Sequence, residues 1–211
     1  MKSSRPQLVI LADVPDALCV LFGISLLERL LRVVERLGFR EAVILSNSPD
    51  EIAAHLAKHS WARAKVVVTF RPLTANAVRV SEVAAGADRV LIVSAGFYYD
   101  ARLLKAMAEQ SATTLLIDSA PPPECELLWK NQGAVFRAAA LLKKDWLSRQ
   151  DHAASLMDQL SSDAATGGIE ACDAARQPTY VMSLRKEVRP VFFPAPSPNL
   201  IAVAERFPRD V

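Results

Sequence analysis

The chain has 211 residues, of which 51% are hydrophobic and 23% charged, and its net charge is +2. This length suits one large domain that buries a core without disulfides or metals. The near-neutral charge removes the electrostatic case for nucleic-acid binding, which usually needs a strongly basic face. With three cysteines and no CxxC pair, we expect neither a disulfide framework nor a zinc site. No apolar run reaches the roughly 18–20 residues that span a bilayer, and no signal peptide is recognisable, so we expect a soluble cytoplasmic domain.

Short β-branched runs alternate with helical patterns over the first half of the chain, which is typical of βαβ units and a parallel sheet. Ser25, followed by Glu28, forms a capping-box pattern at a helix start, and Gly38 suits a left-handed helix end. Residues 12–22 are predicted to be a loop. We predict strands at 8–11, 42–45, 65–70, 89–94 and 113–118, and helices at 25–37, 49–60, 73–85 and 100–110.

The second half is less regular, beginning with a stiff proline linker at 121–123. We predict strands at 133–136, 179–182 and 189–193, helices at 137–147, 150–162 and 197–206, and a turn at 166–168. Together these elements predict a three-layer, Rossmann-like α/β fold with a mixed, mostly parallel sheet. We interpret 1–211 as a single domain with a core at 7–140 and a C-terminal extension at 141–211.

Ligands of open α/β sheets bind beyond the carboxyl ends of the strands, which selects three places in this chain. The first is the loop after the first strand, the second is the turn at Arg71, and the third is the segment 94–100. The candidate nucleotide-binding residues in and beside these places are Ala12, Asp13, Gly23, Arg71, Ser94 and Gly96.

Three stretches resemble sugar-phosphate nucleotidyltransferases. The sequence G-I-S-L-L-E-R at 23–29 and G-F-R-E-A-V at 38–43 is similar to the family's G-x-P-L-L-E-R and G-F-x-E-V-x-V. The run V-L-I-V-S-A-G-F-Y-Y-D at 90–100 resembles the family's central strand and metal-binding turn. The resemblance covers about residues 7–140 well. More closely, the chain looks like the cytoplasmic nucleotidyltransferase-like domain fused ahead of a membrane CDP-alcohol phosphatidyltransferase, with 180–205 similar to the joining segment.

The resemblance implies a reaction, a cofactor and partners. It implies transfer of a nucleotidyl group from a nucleoside triphosphate, CTP in the first place, to a phosphorylated alcohol or sugar, by in-line attack on the α-phosphorus. It implies Mg²⁺ as a possible cofactor, with Asp100 at one of the family's acidic positions. The expected partners are a nucleotide or a small phosphorylated alcohol, in CDP-alcohol phospholipid synthesis. A membrane is expected only through a fused or partner transferase domain.

Several departures from the family pattern favour an alternative. Residues 13–21 contain no glycine, lysine or arginine, which a phosphate-binding loop normally supplies. Gly96 stands where the family places its metal-binding aspartate, and no late D-x-D-T stretch is present. Asp100 is also a natural helix cap, and Asp173, the nearest late candidate, also suits a solvated loop. The alternative is therefore a catalytically degenerate, ligand-binding or regulatory domain of a membrane CDP-alcohol phosphatidyltransferase.

Two further features have two interpretations each. The aromatic run 97–99 could stack on a base, or it could pack into the core next to the central strand. The basic run 185–189 could bind phosphate or anionic headgroups, or it could form a solvated edge. A nicotinamide or flavin domain is a weaker hypothesis, because no GxGxxG follows the first strand.

Overall fold

The computed structural model describes residues 5–12, 16–21, 23–58, 65–73, 86–121, 138–147, 163 and 166–194. The predicted strand at 133–136 lies outside these residues. The predicted helices at 73–85, 150–162 and 197–206 lie wholly or almost wholly outside them as well.

The described part of the chain forms strands and four helices, besides two short 3-10 turns at Asp16–Leu18 and Ala174–Arg176. The helices are α1 (Leu26–Arg36), α2 (Pro49–Lys58), α3 (Ala101–Glu109) and α4 (Lys144–Leu147). The strands are β1 (Gln7–Leu11), β2 (Val20–Leu21), β3 (Ile24–Ser25), β4 (Glu41–Ser46), β5 (Val67–Pro72), β6 (Arg89–Ser94), β7 (Phe97–Tyr99), β8 (Thr114–Ile117), β9 (Ala139–Lys143), β10 (Glu170–Asp173), β11 (Tyr180–Val181), β12 (Lys186–Glu187) and β13 (Phe192–Pro194).

Seven strands form one mixed sheet in the order β10-β8-β9-β6-β1-β4-β5. Strand β1 pairs in parallel with both β4 and β6, β4 pairs in parallel with β5, and β8 pairs in parallel with β10. Strand β9 is antiparallel to both of its neighbours, β6 and β8. All five strands predicted for the first half of the chain lie in this sheet, which confirms a mixed, mostly parallel α/β fold.

Described helices pack on both faces of the sheet, so the central strands are buried on both sides. Leu8 and Ile10 of β1 belong to a core cluster with residues of α1, α2 and α3. Val9, which points to the other face, belongs to a second cluster with Trp146 and Leu147 of α4. This arrangement gives the three predicted layers. None of the described helices is long and apolar enough to cross a bilayer.

The prediction of a helix at 137–147 is wrong over most of its length. Residues 139–143 form β9, and the helix is limited to the single turn of α4. The run A-A-L-L has helix-forming residues, but its place between β6 and β8 buries all four side chains completely. Tertiary packing therefore overrides the local helix preference.

The start of α1 is specified locally, as its sequence predicts. The Ser25 hydroxyl accepts a hydrogen bond from the Glu28 amide at 3.1 Å, and Gly38, just after the helix, has a φ of +85°. Gly23 also has a positive φ, +83°, at the tight connection between β2 and β3. The predicted loop 12–22 thus contains a 3-10 turn and one strand of a small hairpin.

Candidate active site

The strand order of the sheet reverses at β1. The chain proceeds from β1 outward to β4 and β5, then returns to place β6 on the other side of β1. Open α/β sheets bind ligands at such a switch, beyond the carboxyl ends of the strands. We refer to this place, at Ala12 after β1 and at Ala95 and Gly96 after β6, as the crevice. The Ala12 amide donates to the Leu45 carbonyl at 2.8 Å, whereas the Ala95 amide donates to the Leu11 carbonyl at 2.7 Å. These two bonds fix both walls of the crevice to β1.

One carboxylate lies at this crevice, beside Gly96. A side chain built at position 96 would place its Cβ 3.1 Å from the Cβ of Asp16 and 3.8 Å from Asp16 Oδ2. Asp16 begins the 3-10 turn that follows β1 in the chain. The end of β6 supplies no carboxylate of its own, and Asp16 brings one to the same place from the neighbouring loop.

The structure brings some of the predicted site residues together and separates others. Ala12, Ser94 and Gly96 lie at the ends of the adjacent strands β1 and β6. Ser94, Leu11, Leu45 and Arg71 form one row across four strands. At about 4.8 Å per strand, Arg71 is roughly 14 Å from Ser94 along this row.

Two predicted positions have no described contact with the crevice. Arg71 lies within β5 rather than in a turn, and its side chain is exposed. Gly23 is in the β2–β3 connection, where a Cβ would meet nothing within 4 Å. Asp13 lies outside the described residues, so its assignment to nucleotide binding stays a prediction.

Asp100 is engaged in structural contacts. Its side chain accepts from the Arg102 amide at 2.9 Å and so caps α3, as the helix-cap interpretation predicts. Its second oxygen accepts from Arg102 Nη2 at 2.6 Å. The same guanidinium donates to the carbonyls of Val188 and Pro178 at 2.9 and 3.3 Å. Asp100 therefore helps to hold the C-terminal segment, and nothing described supports it as a metal ligand.

The aromatic run 97–99 packs between strands. Strand β7 pairs antiparallel with β13, and Tyr98 stacks on Phe193 with ring centroids 4.9 Å apart. The Tyr99 hydroxyl lies 2.6 Å from the Ala138 carbonyl and 2.9 Å from that of Ser94. Complete burial raises the pKa of Tyr99 well above its ordinary value. For Tyr98 and Tyr99, the core interpretation of this run is confirmed.

A pair of carboxylates, Asp118 and Asp173, lies at the carboxyl ends of β8 and β10. Asp118 is buried and forms an ion pair with Arg189. Burial raises the pKa of Asp118 above its ordinary value, although the charge of Arg189 lowers it in part. Asp173 is 6% exposed, so its interpretation as a solvated loop residue is wrong. Burial alone would raise the pKa of Asp173. Hydrogen bonds from Ser119 and from the Ala175 amide, together with the charge of Arg176, outweigh that effect and hold the pKa below its ordinary value.

Sequence reasoning missed three functional or stabilising contacts in this region. The approach of Asp16 to Gly96 joins residues 80 positions apart, and only the pairing of β1 with β6 creates it. Arg102 and Arg189 likewise contact residues that are distant in the sequence, Val188 and Asp118 respectively. Arg189, the last residue of the predicted basic edge at 185–189, thus forms an ion pair with Asp118. The one available signal was the acidic residue itself, because residues 13–21, after β1, carry two aspartates and no lysine or arginine.

The donor set permits a test of the Mg²⁺ expectation. Among the described residues no group of three His, Cys, Asp or Glu side chains could enclose a metal ion. Mg²⁺ in nucleotide sites is commonly held by only one or two carboxylates together with substrate phosphates. Among the described residues, one carboxylate, that of Asp16, lies in the crevice. The residues therefore fit Mg²⁺ as an ion that arrives with a nucleotide, and they do not form a preformed metal cage.

Comparison with solved structures identifies the fold. The chain superposes on a Bacillus anthracis protein assigned as a glucose-1-phosphate thymidylyltransferase, solved with sucrose, with a TM-score of 0.64, 12% identity and coverage of 97% of this chain and 96% of that chain. It superposes on HddC from Yersinia pseudotuberculosis with a TM-score of 0.61, 13% identity and coverage of 96% and 99%. For the inositol-1-phosphate CTP transferase from T. maritima the values are 0.61, 12%, 99% and 98%. No family model and no curated protein matches the sequence. The fold is that of the nucleotidyltransferases.

Proposed function

We propose that this domain transfers a nucleotidyl group from a nucleoside triphosphate, with CTP as the first choice, to a phosphorylated sugar or alcohol. The observation that carries the proposal is the Asp16 carboxylate beside Gly96, at the switch point of a nucleotidyltransferase fold. The family's acidic group at this place is absent from the end of β6. Asp16 supplies an equivalent oxygen donor from the neighbouring loop.

Small residues follow the two strands at the crevice. Ala12 and Ala95 are fully buried at the ends of β1 and β6, and Gly96 adds no side chain. In the proposed reaction a phosphate oxygen of the acceptor forms a bond to the α-phosphorus of the triphosphate. The bond from that phosphorus to the β-phosphate oxygen breaks, and pyrophosphate leaves. The protein contributes positioning and charge stabilisation, since this reaction needs no covalent nucleophile.

Mg²⁺ belongs to the proposal as a partner of the nucleotide. When bound, it would neutralise phosphate charge and polarise the reacting phosphoryl group. Asp16 is the described residue that would hold it. The finer part of the proposal, a role in CDP-alcohol phospholipid synthesis, rests on the resemblance of 180–205 to the segment that joins such fusions.

Pyrophosphate release tests the proposal directly. The protein is incubated with CTP, Mg²⁺ and either glucose 1-phosphate or inositol 1-phosphate, because two structural neighbours are named for these substrates. We expect release that depends on the acceptor and falls at least tenfold in Asp16→Asn, while the matched variant Asp88→Asn, in an exposed turn, keeps it. Equal activity of Asp16→Asn and the parent protein would contradict the assignment of Asp16.

A second candidate is supported by different observations. The described contacts of Asp100 tie it to Arg102, and residues 13–21 contain no cation to offset a triphosphate. In addition, Tyr180, Met182 and Leu184 are exposed on the β11–β12 hairpin, which gives an attached or partner domain an apolar surface to contact. These features favour a ligand-binding or regulatory domain. CTP binding measured by calorimetry without pyrophosphate release from any acceptor would favour this candidate over the first.

A further inference from the structure

A cavity lies at the amino ends of the strands, opposite the crevice at their carboxyl ends. It has a volume of about 480 Å³ and opens between the last turns of α1 and α3. It is lined by Arg5, Arg36, Leu37, Phe39, Arg89, Lys105, Ala108 and Glu109. Arg5 precedes β1 and Arg89 begins β6, so the cavity lies beyond the amino ends of the strands. A cavity of this size accommodates a small organic ligand.

The charge of the lining is strongly positive, in contrast to the near-neutral chain. Four of the eight lining residues are basic, and one, Glu109, is acidic. Glu109 is 4.0 Å from Lys105 on the exposed surface of α3, where such pairs are weak. The carboxyl ends of two helices add about half a negative charge each. Even with both helix ends included, the cavity keeps an excess of positive charge.

Two of the cations are held in place by the backbone. Arg5 donates to the Gly38 carbonyl at the end of α1 and lies 5.7 Å from the centroid of the Phe39 ring. Arg89 donates to the Gln110 carbonyl at 2.6 Å, just beyond α3. A guanidinium has five N–H donors in a rigid plane, so one carbonyl does not exhaust Arg5. Arg36 and Lys105 stand at the exposed rim of the cavity.

Gly38 is required for this arrangement. Besides its positive φ, a Cβ at this position would lie 3.0 Å from Arg5 Cζ. The helix end therefore leaves the space that the Arg5 guanidinium occupies. The floor of the cavity is apolar and consists of Leu37, Phe39 and Ala108.

We propose that this basic cavity binds a small phosphate monoester with an apolar or aromatic body. The phosphate would lie among the four cations, and the body would cover the floor formed by Leu37, Phe39 and Ala108. The site is separate from the crevice at the carboxyl ends of β1 and β6, since the full length of these strands lies between them. The proposal does not depend on the nucleotidyltransferase activity.

Calorimetric titration of the full chain with phenyl phosphate and with inorganic phosphate tests the proposal. We expect saturable binding of both, with phenyl phosphate tighter by about threefold to tenfold because its ring buries apolar area on the floor. The double variant Arg36→Gln with Lys105→Gln is expected to weaken phenyl phosphate by about tenfold. Both changes are at exposed positions, and thermal melting checks that the fold is kept.

A matched double variant controls for the loss of net charge. Arg40→Gln with Lys65→Gln removes two exposed cations from the same end of the molecule, but neither residue lines the cavity. This control is expected to change the affinity by less than about twofold, because exposed charges that do not contact the phosphate act on it only through solvent and salt. An equal loss in both double variants, or the absence of saturable binding, would overturn the site. Equal affinity for the two ligands would overturn the assignment of the apolar body.

Discussion

Because Gly96 has no side chain, the carboxylate of Asp16 can lie at the end of β6. The space that a Cβ would take is bounded by Asp16, whose own Cβ is 3.1 Å away, and by the Ser94 hydroxyl oxygen at 3.7 Å. A Cβ at this position requires Asp16 to shift by a few tenths of an ångström, and a longer side chain meets the Asp16 side chain directly. The two positions are coupled, and a substitution at either one changes what the other can be.

Exchanging the two residues tests this coupling. Gly96→Asp should destabilise the protein by about 1–3 kcal/mol, because a second carboxylate would be forced against Asp16. The exchanged variant, Gly96→Asp with Asp16→Gly, should recover most of that loss, since one carboxylate again occupies the space. Urea unfolding of the parent, both single variants and the exchanged variant measures the interaction energy. Simple additivity of the two single effects would show that Asp16 and Gly96 are not coupled.

Single residues that act locally were predictable, and those that act across the sheet were not. The caps at Ser25 and Asp100 follow from their places before helical patterns, and the structure has both. The approach of Asp16 to Gly96 depends on the register between β1 and β6. The ion pair between Asp118 and Arg189 likewise joins distant segments. Sequence periodicity contains no information about such contacts, so only the three-dimensional structure reveals them.

At the scale of elements, the same distinction separates the first half of the chain from the second. Strands β1, β4, β6 and β8 lie close to their predicted bounds because each is an apolar run between helical patterns. Strand β9 was predicted to be helical, because alanine and leucine favour helices when no neighbour is considered. Its fully buried place between β6 and β8 is a property of the whole sheet. Strand β7 gains its partner, β13, only from residues about 95 positions later.

Tyr99 connects these elements, and removing its hydroxyl tests how much the connection contributes. The hydroxyl of this β7 residue lies within hydrogen-bond distance of the carbonyls of Ser94 and Ala138, at the end of β6 and just before β9. Tyr99→Phe should lower the free energy of unfolding by about 1–2 kcal/mol, because buried carbonyls lose a donor. Tyr180→Phe is the matched control, since Tyr180 is 57% exposed. Equal stability of the two variants in urea unfolding would contradict the role of the Tyr99 hydroxyl.

On the scale of the whole molecule, the later segments complete the sheet and the core that the first segments begin. Strands β9 and β10 join the main sheet, and Phe192 and Phe193 of β13 are among the most deeply buried side chains. Two arginines fasten this later part to the earlier part. Arg189 pairs with Asp118 at the end of β8, and Arg102 binds carbonyls of the segment that follows β10. The crevice lies at the carboxyl ends of the central strands, and the basic cavity lies at their amino ends.

Arg102 offers a test of this long-range connection. Its guanidinium is paired with Asp100 and donates to the carbonyls of Val188, Pro178 and Thr179 at 2.9, 3.3 and 3.4 Å. A lysine keeps the charge but lacks the planar fork that reaches several acceptors, so Arg102→Lys should loosen residues 179–194 while α1 and the central strands stay unchanged. Hydrogen exchange measured by mass spectrometry should show at least about fivefold faster exchange in peptides from 179–194, equivalent to about 1 kcal/mol of local stability. Arg36→Lys, at the exposed end of α1, is the matched control and should leave these peptides unchanged. If exchange in 179–194 is the same in Arg102→Lys and in the parent protein, the segment is held by β13 and the Asp118–Arg189 pair without Arg102.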